Sequence, residues 1–291
     1  MIVYMDWDVS SEDISLVEIL DKNRSLRSLK VERWGIAKDV RHRKRLLQAL
    51  AEHPSLKSLA FCGRYGGGAR DLFTYSDVEQ LNPFPKLRAL DTELSADSST
   101  YFQAHFGSIE RLDLRLEEWS TDLAECLSTY RNLTHLVLNP SFGILVQGDD
   151  LVKIAERCTN IIHLEVREEG DAIYSMEYTD MHLKCLVTSL PHLEVLLIRS
   201  NAVGSLTVRS LQHLNVSCPR IRLLRFWSEV WDEDRPGPNF SDALPEPVIF
   251  HFFRHLEFLV LCTESLYFYP GKNNGCLWSD GRWFECNLLL I

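Results

Sequence analysis

The sequence predicts an α/β solenoid, a curved horseshoe with a parallel β-sheet on its concave face and helices on its convex face. Three observations predict it. A short pattern, Leu-x-x-Leu-x-apolar, returns with copies beginning at Leu26, Leu56, Leu87, Ile109, Leu133, Ile161, Leu193, Ile221 and Leu256. The mean spacing of these copies is about 29 residues, long enough for one strand and one helix per unit. Proline stands two positions before the first apolar residue at Pro54, Pro85, Pro191 and Pro219, where it stops a helix and admits an extended segment. Upstream of these turns the apolar spacing becomes helical, as in Leu46, Leu47, Leu50 and Ala51.

Taken in order, residues 1–25 form an N-terminal cap with one helix, Ser11 to Leu20. Residues 26–262 then carry about nine irregular leucine-rich repeats, each too small to bury its own apolar face and therefore stacked on its neighbours. Further helices are expected at Leu151 to Ala155 and Leu183 to Leu190. The position three before each motif is mostly apolar or aromatic (Phe84, Phe106, Tyr130, Cys158, Leu190, Cys218, Phe253) and plugs the turn. In the longest interval, Trp231 to Asn239 with the following Pro245 and Pro247 forms an exposed acidic loop, a further candidate contact. Residues 263–291 lose the pattern and are expected to cap the C-terminal end, with a hairpin from Cys276 to Cys286 around Asp280-Gly281.

Composition excludes several function classes. A net charge of −10 disfavours phosphate-backbone binding, so no nucleic acid is expected as the main partner. No window approaches the ~18 apolar residues a spanning helix needs, and Met1 to Asp6 lacks the plan of a signal peptide. The expectation is no membrane and a cytoplasmic or nuclear location. The eight cysteines are scattered among the repeats, which suits free core thiols. Cys276 and Cys286, near the open end of the hairpin, leave a disulfide open.

Strand alternation sorts the face. The residues before, between and after the second and third apolar positions of each motif fall into three columns on the solvent side. Their middle is charged, with Asp91, Glu93, Arg111, Asp113, Arg115, Glu165 and Arg167, alongside His135 and His163. Their C-terminal third is apolar, with Val195, Leu197, Leu223, Trp227, Phe258 and Val260 where a solvated face should be polar. The candidate partner-binding residues are Asp91, Glu93, Arg111, Asp113, Arg115, His135, His163, Arg167, Leu197, Leu223, Trp227 and Phe258. A tail folded back over the apolar part is the competing expectation.

Catalytic chemistry finds no motif. His135 and His163 with Asp113 lack the convergent geometry of a metal site. Gly63 to Arg70 is glycine-rich, but no Gly-Lys-Ser/Thr follows, so it is neither a phosphate loop nor a dinucleotide fingerprint. The basic run Lys38 to Arg45 reads as the solvated first turns of a helix. A non-enzymatic chain with no metal and no cofactor is expected.

The units Leu-Pro-His-Leu-Glu-Val-Leu-Leu-Ile at 190–198, Cys-Pro-Arg-Ile-Arg-Leu-Leu-Arg-Phe at 218–226 and Tyr-Arg-Asn-Leu-Thr-His-Leu-Val-Leu at 130–138 resemble the repeats of F-box proteins, above all the fungal type with irregular repeats. In that family an F-box binds the Skp1 adaptor of a cullin-RING ubiquitin ligase, and the repeats recruit the protein to be ubiquitinated. The resemblance therefore implies Skp1/cullin and a ubiquitination substrate as partners. The 25 residues before the first motif contain no Leu-Pro start and no room for a full F-box, so the expected role is substrate binding. Two alternatives stand beside it: a repeat scaffold or inhibitor, and a GTPase-activating type of regulator in which Arg115 completes a nucleotide site.

Overall fold

The computed structural model describes residues 2–6, 16–32, 40–62, 84–94, 102, 105–141, 144–167, 178–199, 208–228, 258–263, 267–268, 275–279 and 282–286. The fold class is the predicted one, α/β leucine-rich repeats. Two compact units divide the chain, Met1–Leu133 and Thr134–Ile291. Outside the described residues lie Gly63 to Arg70, the acidic loop Trp231 to Asn239, Pro245, Pro247 and the plug Phe253. No described helix is long and apolar enough to cross a membrane.

In the first unit five strands pair in parallel: β1 (Ile2–Asp6), β2 (Ser28–Glu32), β3 (Ser58–Cys62), β4 (Ala89–Leu94) and β5 (Arg111–Leu116). Helices α1 (Leu16–Lys22) and α2 (Val40–Glu52) link β1 to β2 and β2 to β3, and α3 (Thr121–Leu127) follows β5. Helix α1 runs two residues past the predicted Leu20, and the predicted start at Ser11 lies outside the described residues. In α2 the side chains of Lys44 and Arg45 are exposed while Leu46, Leu47 and Leu50 are buried, as a basic solvated start to an amphipathic helix requires. Strand β1 lies within the N-terminal cap, where the sequence predicted a helix and no strand.

The second unit contains β6 (His135–Pro140), α4 (Gly148–Arg157), β7 (His163–Arg167), α5 (Asp180–Ser189), β8 (Val195–Arg199), α6 (Val208–Ser217), β9 (Leu223–Ser228) and β10 (Phe258–Thr263). These five strands are parallel. Chain direction then reverses. Strands β11 (Tyr267–Phe268), β12 (Gly275–Ser279) and β13 (Arg282–Cys286) add antiparallel to β10 in sequence order. The paired Ser279 and Arg282 leave only Asp280 and Gly281 between them, so the hairpin sits where the sequence put it. Its register sets Cys276 opposite Glu285 and Cys286 opposite Gly275, so the two cysteines are not cross-strand partners. The tail strands extend the sheet beyond β10.

Each of the nine motif copies forms one strand, β2 to β10. Its second and third apolar positions are buried wherever side chains are described, apart from the third copy, where Thr92 takes the core position and is itself fully buried. The turns before β2 and before β4 to β9 repeat one hydrogen bond. The first apolar residue donates its N–H to the carbonyl three residues back: Leu26 to Asn23 at 2.8 Å, Ile109 to Phe106 at 3.1 Å, Leu133 to Tyr130 at 2.9 Å, Leu193 to Leu190 at 3.1 Å and Ile221 to Cys218 at 3.1 Å. Proline suits the second position of such a turn because its φ is already set and its missing N–H is not needed there.

A second bond repeats between neighbours. The carbonyl of Arg27 accepts from both Lys57 N–H and Ser58 N–H, at 2.8 and 3.0 Å, and Lys57 then offers its carbonyl to Arg88 and Ala89 at the same two distances. In the second unit Thr134 serves Ile162 and His163, Ile162 serves Glu194 and Val195, and Glu194 serves Arg222 and Leu223. Within each of these two runs a strand therefore starts level with the one before it.

The residues that plug the turns touch across repeats by different chemistries. His53 is buried, accepts from Ser55 N–H on Nδ1 at 3.3 Å, and so carries its proton on Nε2, 3.1 Å from the Asn23 carbonyl. Phe84 stacks on Phe106 with ring centroids 4.9 Å apart, and Phe106 meets Phe102 at 4.8 Å. Tyr130 lies edge-on to Phe102, and its hydroxyl donates to the Phe102 carbonyl at 2.6 Å. Burial, then the neighbouring Cys126, raises the pKa of that phenol, which keeps the donor proton in place. Cys218 donates its thiol to the carbonyl of Leu190, the plug before it, at 3.3 Å, and burial pushes the thiol up to about 12. Among the described cysteines, Cys126, Cys158 and Cys218 are buried and Cys185 is half-buried.

Urea denaturation should rank these plugs. Phe106→Ala is expected to lower stability by about 3–5 kcal/mol through the cavity it leaves. Tyr130→Phe, which removes only the hydroxyl, is expected to cost about 1 kcal/mol.

Candidate functional site

Pairing register turns the three sequence columns into rows across the strands. In the first unit Asp91 stands opposite Asp113 and Glu93 opposite Arg115, with Arg111 opposite Ala89. In the second unit His135, His163, Val195, Leu223 and Phe258 share one row. Val137, Glu165, Leu197, Arg225 and Val260 share the next. Arg167, Arg199, Trp227 and Cys262 share the third. The side chains of Trp227 and Phe258 lie outside the described residues, and register alone places them.

Two like charges facing each other on neighbouring strands repel, so Asp91 and Asp113 need compensation. Arg115 supplies it on one side. Its Nη2 donates to Asp91 Oδ1 at 2.8 Å and also to the main-chain carbonyl of Phe61, two strands away on β3. Both side chains of the pair are 31% exposed, too wet for the attraction to contribute much stability and dry enough to hold a geometry. Arg88 and Glu110 form a looser pair at 3.4 Å near the strand entrances. Among the predicted residues of this unit, Asp91 and Arg115 are brought together, while Arg111 is exposed and Glu93 and Asp113 are half-buried.

On β7 the arrangement is tighter. Arg167 Nε and Nη2 donate to the two oxygens of Glu165, at 2.6 and 2.9 Å, a fork that fits a carboxylate. The second oxygen also lies 3.3 Å from His163 Nε2, which donates in the tautomer that carries its proton there. Roofed in this way, the Glu165 side chain is only 10% exposed on a face that should be solvated. Burial by itself pushes this carboxyl up, but the hydrogen bonds and charges of His163 and Arg167 win and hold it at about 2. The His163 ring stacks on His135 with centroids 5.6 Å apart, and His135 Nδ1 bonds the Thr134 hydroxyl at 2.9 Å.

On β8 and β9 only some of the side chains on this face are described. Val195, Leu197 and Leu223 are half-buried. Arg225 stands opposite Leu197 in the middle row and brings a cation into this zone. The strand pattern contained Arg225 without singling it out, because a lone cation in a column has no spacing signature. Among the described residues no group of three or more His, Cys, Asp and Glu side chains converges as a metal site would require.

No family model matches the chain, and no curated protein matches it. Among solved structures, the crystal structure of the leucine-rich repeat-containing protein LegL7 from Legionella pneumophila matches 86% of this chain and 97% of its own, at 16% identity and a TM-score of 0.35.

The Glu165 cluster has a pH signature. Its carboxyl titrates lower in the folded than in the unfolded chain, so the stability it contributes is full above the ordinary carboxylate range and fades as pH falls toward 2. Chemical denaturation of wild type and Glu165→Gln should therefore show wild type more stable at pH 7, with the gap closing between about pH 5 and pH 2. A gap that stays constant over that window would mean the cluster is not formed.

Proposed function

We propose that this chain is a non-catalytic protein-binding module that presents the solvent face of its repeat strands to a partner. The observation that carries this reading is the register. It sets charged and apolar side chains of successive repeats in level rows, with neighbours in a row about 4.8 Å apart, the spacing of a surface that reads a partner by its shape and charge. Trp and Arg, the residues that most often anchor such contacts, stand in those rows at Trp227, Arg115, Arg167 and Arg225. Its more specific role in this proposal is substrate recognition for an SCF-type ubiquitin ligase in the cytoplasm or nucleus. The resemblance of the units at 130–138, 190–198 and 218–226 to F-box repeat proteins supports that role.

Affinity capture from a native extract, read by mass spectrometry, tests both levels. The ligase role expects Skp1 and a cullin to come down with the chain and a substrate alongside them. Capture of other proteins without Skp1 and cullin would reduce the proposal to a plain binding module. Asp113→Lys and Leu197→Glu, both at half-buried positions on the strands, should each reduce substrate capture by about tenfold. Their melting temperatures should shift by less than about 4 °C, the equivalent of roughly 1 kcal/mol. Unchanged capture in both variants would show that these rows are not the binding face.

A further inference from the structure

We propose that the edge of the first unit where its strands begin binds a short acidic segment of another protein, a contact that, apart from Arg111, lies outside the strand rows. The shared carbonyls of Arg27, Lys57 and Arg88 set the turns entering β2 to β5 level with one another. Arg24 to Ser28, Pro54 to Ser58, Pro85 to Ala89 and Gly107 to Arg111 therefore lie side by side. These four stretches present the exposed cations Arg24, Arg27, Lys57, Lys86, Arg88 and Arg111 against a single acid, Glu110. Arg27, Lys57 and Arg88 hold the same position in three successive repeats, about 4.8 Å from rung to rung.

The cations differ in how far they are engaged. Arg88 faces Glu110 at 3.4 Å and Arg24 faces Asp21 at 3.8 Å. Lys86 gives its ammonium to the Pro54 carbonyl, a neutral acceptor that leaves the charge uncompensated. The side chains of Arg27, Lys57 and Arg111 make no hydrogen bond or ion pair among the described residues, and the proposal rests on these three. Like charges on neighbouring rungs repel, and an anion laid between Arg27 and Lys57 turns that repulsion into attraction. At the corresponding level of the second unit Glu194 occupies the rung before Arg222 and pairs with it at 3.8 Å.

The edge is basic on a chain whose net charge is −10, and it is short. Arg27 and Arg88 stand about 10 Å apart, and the next rung is acidic at Glu110. Two or three carboxylates fit that length, whereas a long polyanion would run on against the acidic remainder of the chain. An extended peptide sets alternate side chains on one side about every 7 Å, so acids separated by one residue span the rungs. Guanidinium groups take carboxylates in a fork, and the half-buried Ser28 and Ser58, cross-strand neighbours beside Arg27 and Lys57, add hydroxyl donors. The four stretches contain no aromatic residue on which a base could stack. Their Leu26, Leu56, Leu87 and Ile109 are buried, so no large apolar side chain is offered to a lipid layer.

Fluorescence anisotropy of the whole chain with a labelled octapeptide of alternating Glu and Ser tests the edge. The peptide should bind, and added salt should weaken it, while an octapeptide of alternating Lys and Ser should not bind. Combining Arg27→Glu with Lys57→Glu should lower affinity by about tenfold or more. Arg157→Glu combined with Lys184→Glu makes the same change in net charge at exposed positions on α4 and α5 and should leave affinity unchanged. Leu197→Glu, which probes the strand face, should also leave it unchanged, so the two readings fail separately. Should the reversed pair melt early, Arg27→Gln with Lys57→Gln carries the test, with a loss in the same direction. An acidic peptide that does not bind, or one weakened equally by both charge-reversed pairs, would overturn the proposal. Displacement of the peptide by a tighter single-stranded oligonucleotide, or by vesicles of anionic phospholipid, would overturn it in favour of nucleic acid or a membrane.

Discussion

Everything about this surface depends on one shared carbonyl per repeat. The residue after the first leucine offers its oxygen to two consecutive N–H groups of the next strand, and the same pair of bonds recurs from Arg27 to Arg88 and from Thr134 to Leu223. A slip of one residue would send every core leucine to the solvent side and every polar residue inward. The bonds at the strand entrance oppose that slip before any side chain packs. Intervals between repeats vary in length, yet the strands within each run begin level, because the variation is absorbed upstream of the turn.

The turn plugs show what a repeat fold demands and what it leaves free. Asn23, His53, Phe84, Phe106, Tyr130, Cys158, Leu190 and Cys218 occupy equivalent positions with unlike chemistry. What they have in common is a need to fill the turn and to satisfy whatever polar atom they bring. Phenylalanine does so by stacking, histidine and tyrosine by donating to a carbonyl of an earlier repeat, and cysteine with a thiol that burial keeps protonated. Such positions look unrelated in a sequence and become one column in space.

Legibility followed the same division. The nine motif strands and the level of their columns could be read because core leucines recur with a fixed offset from the turn, and backbone pairing preserves that offset. Strand β1 could not be read in this way, since Ile2 to Asp6 holds no leucine at the core positions that mark the others. The tail hairpin was visible through its Asp-Gly pair, while the way it joins β10 was not, because edge pairing leaves no local pattern. For the candidate site, the sequence identified which residues share a face. It did not reveal that Glu165 is roofed over by two neighbours, that Arg115 spans three strands, or that Val195, Leu197 and Leu223 are half-buried. Those are matters of side-chain reach, and alternation carries no information on reach.

The reach of Arg115 bears on how the first unit comes apart. In a repeat stack each strand ordinarily answers only to its immediate neighbours, so strands can peel away singly from an end. Here a side chain on β5 is tied to the backbone of β3 by way of an acid on β4. Drawing the chain out from its amino end would therefore remove an acceptor from a guanidinium two strands inward as soon as β3 leaves. In this stretch, therefore, the departure of one strand is felt two strands inward, which a plain ladder of neighbours would not show.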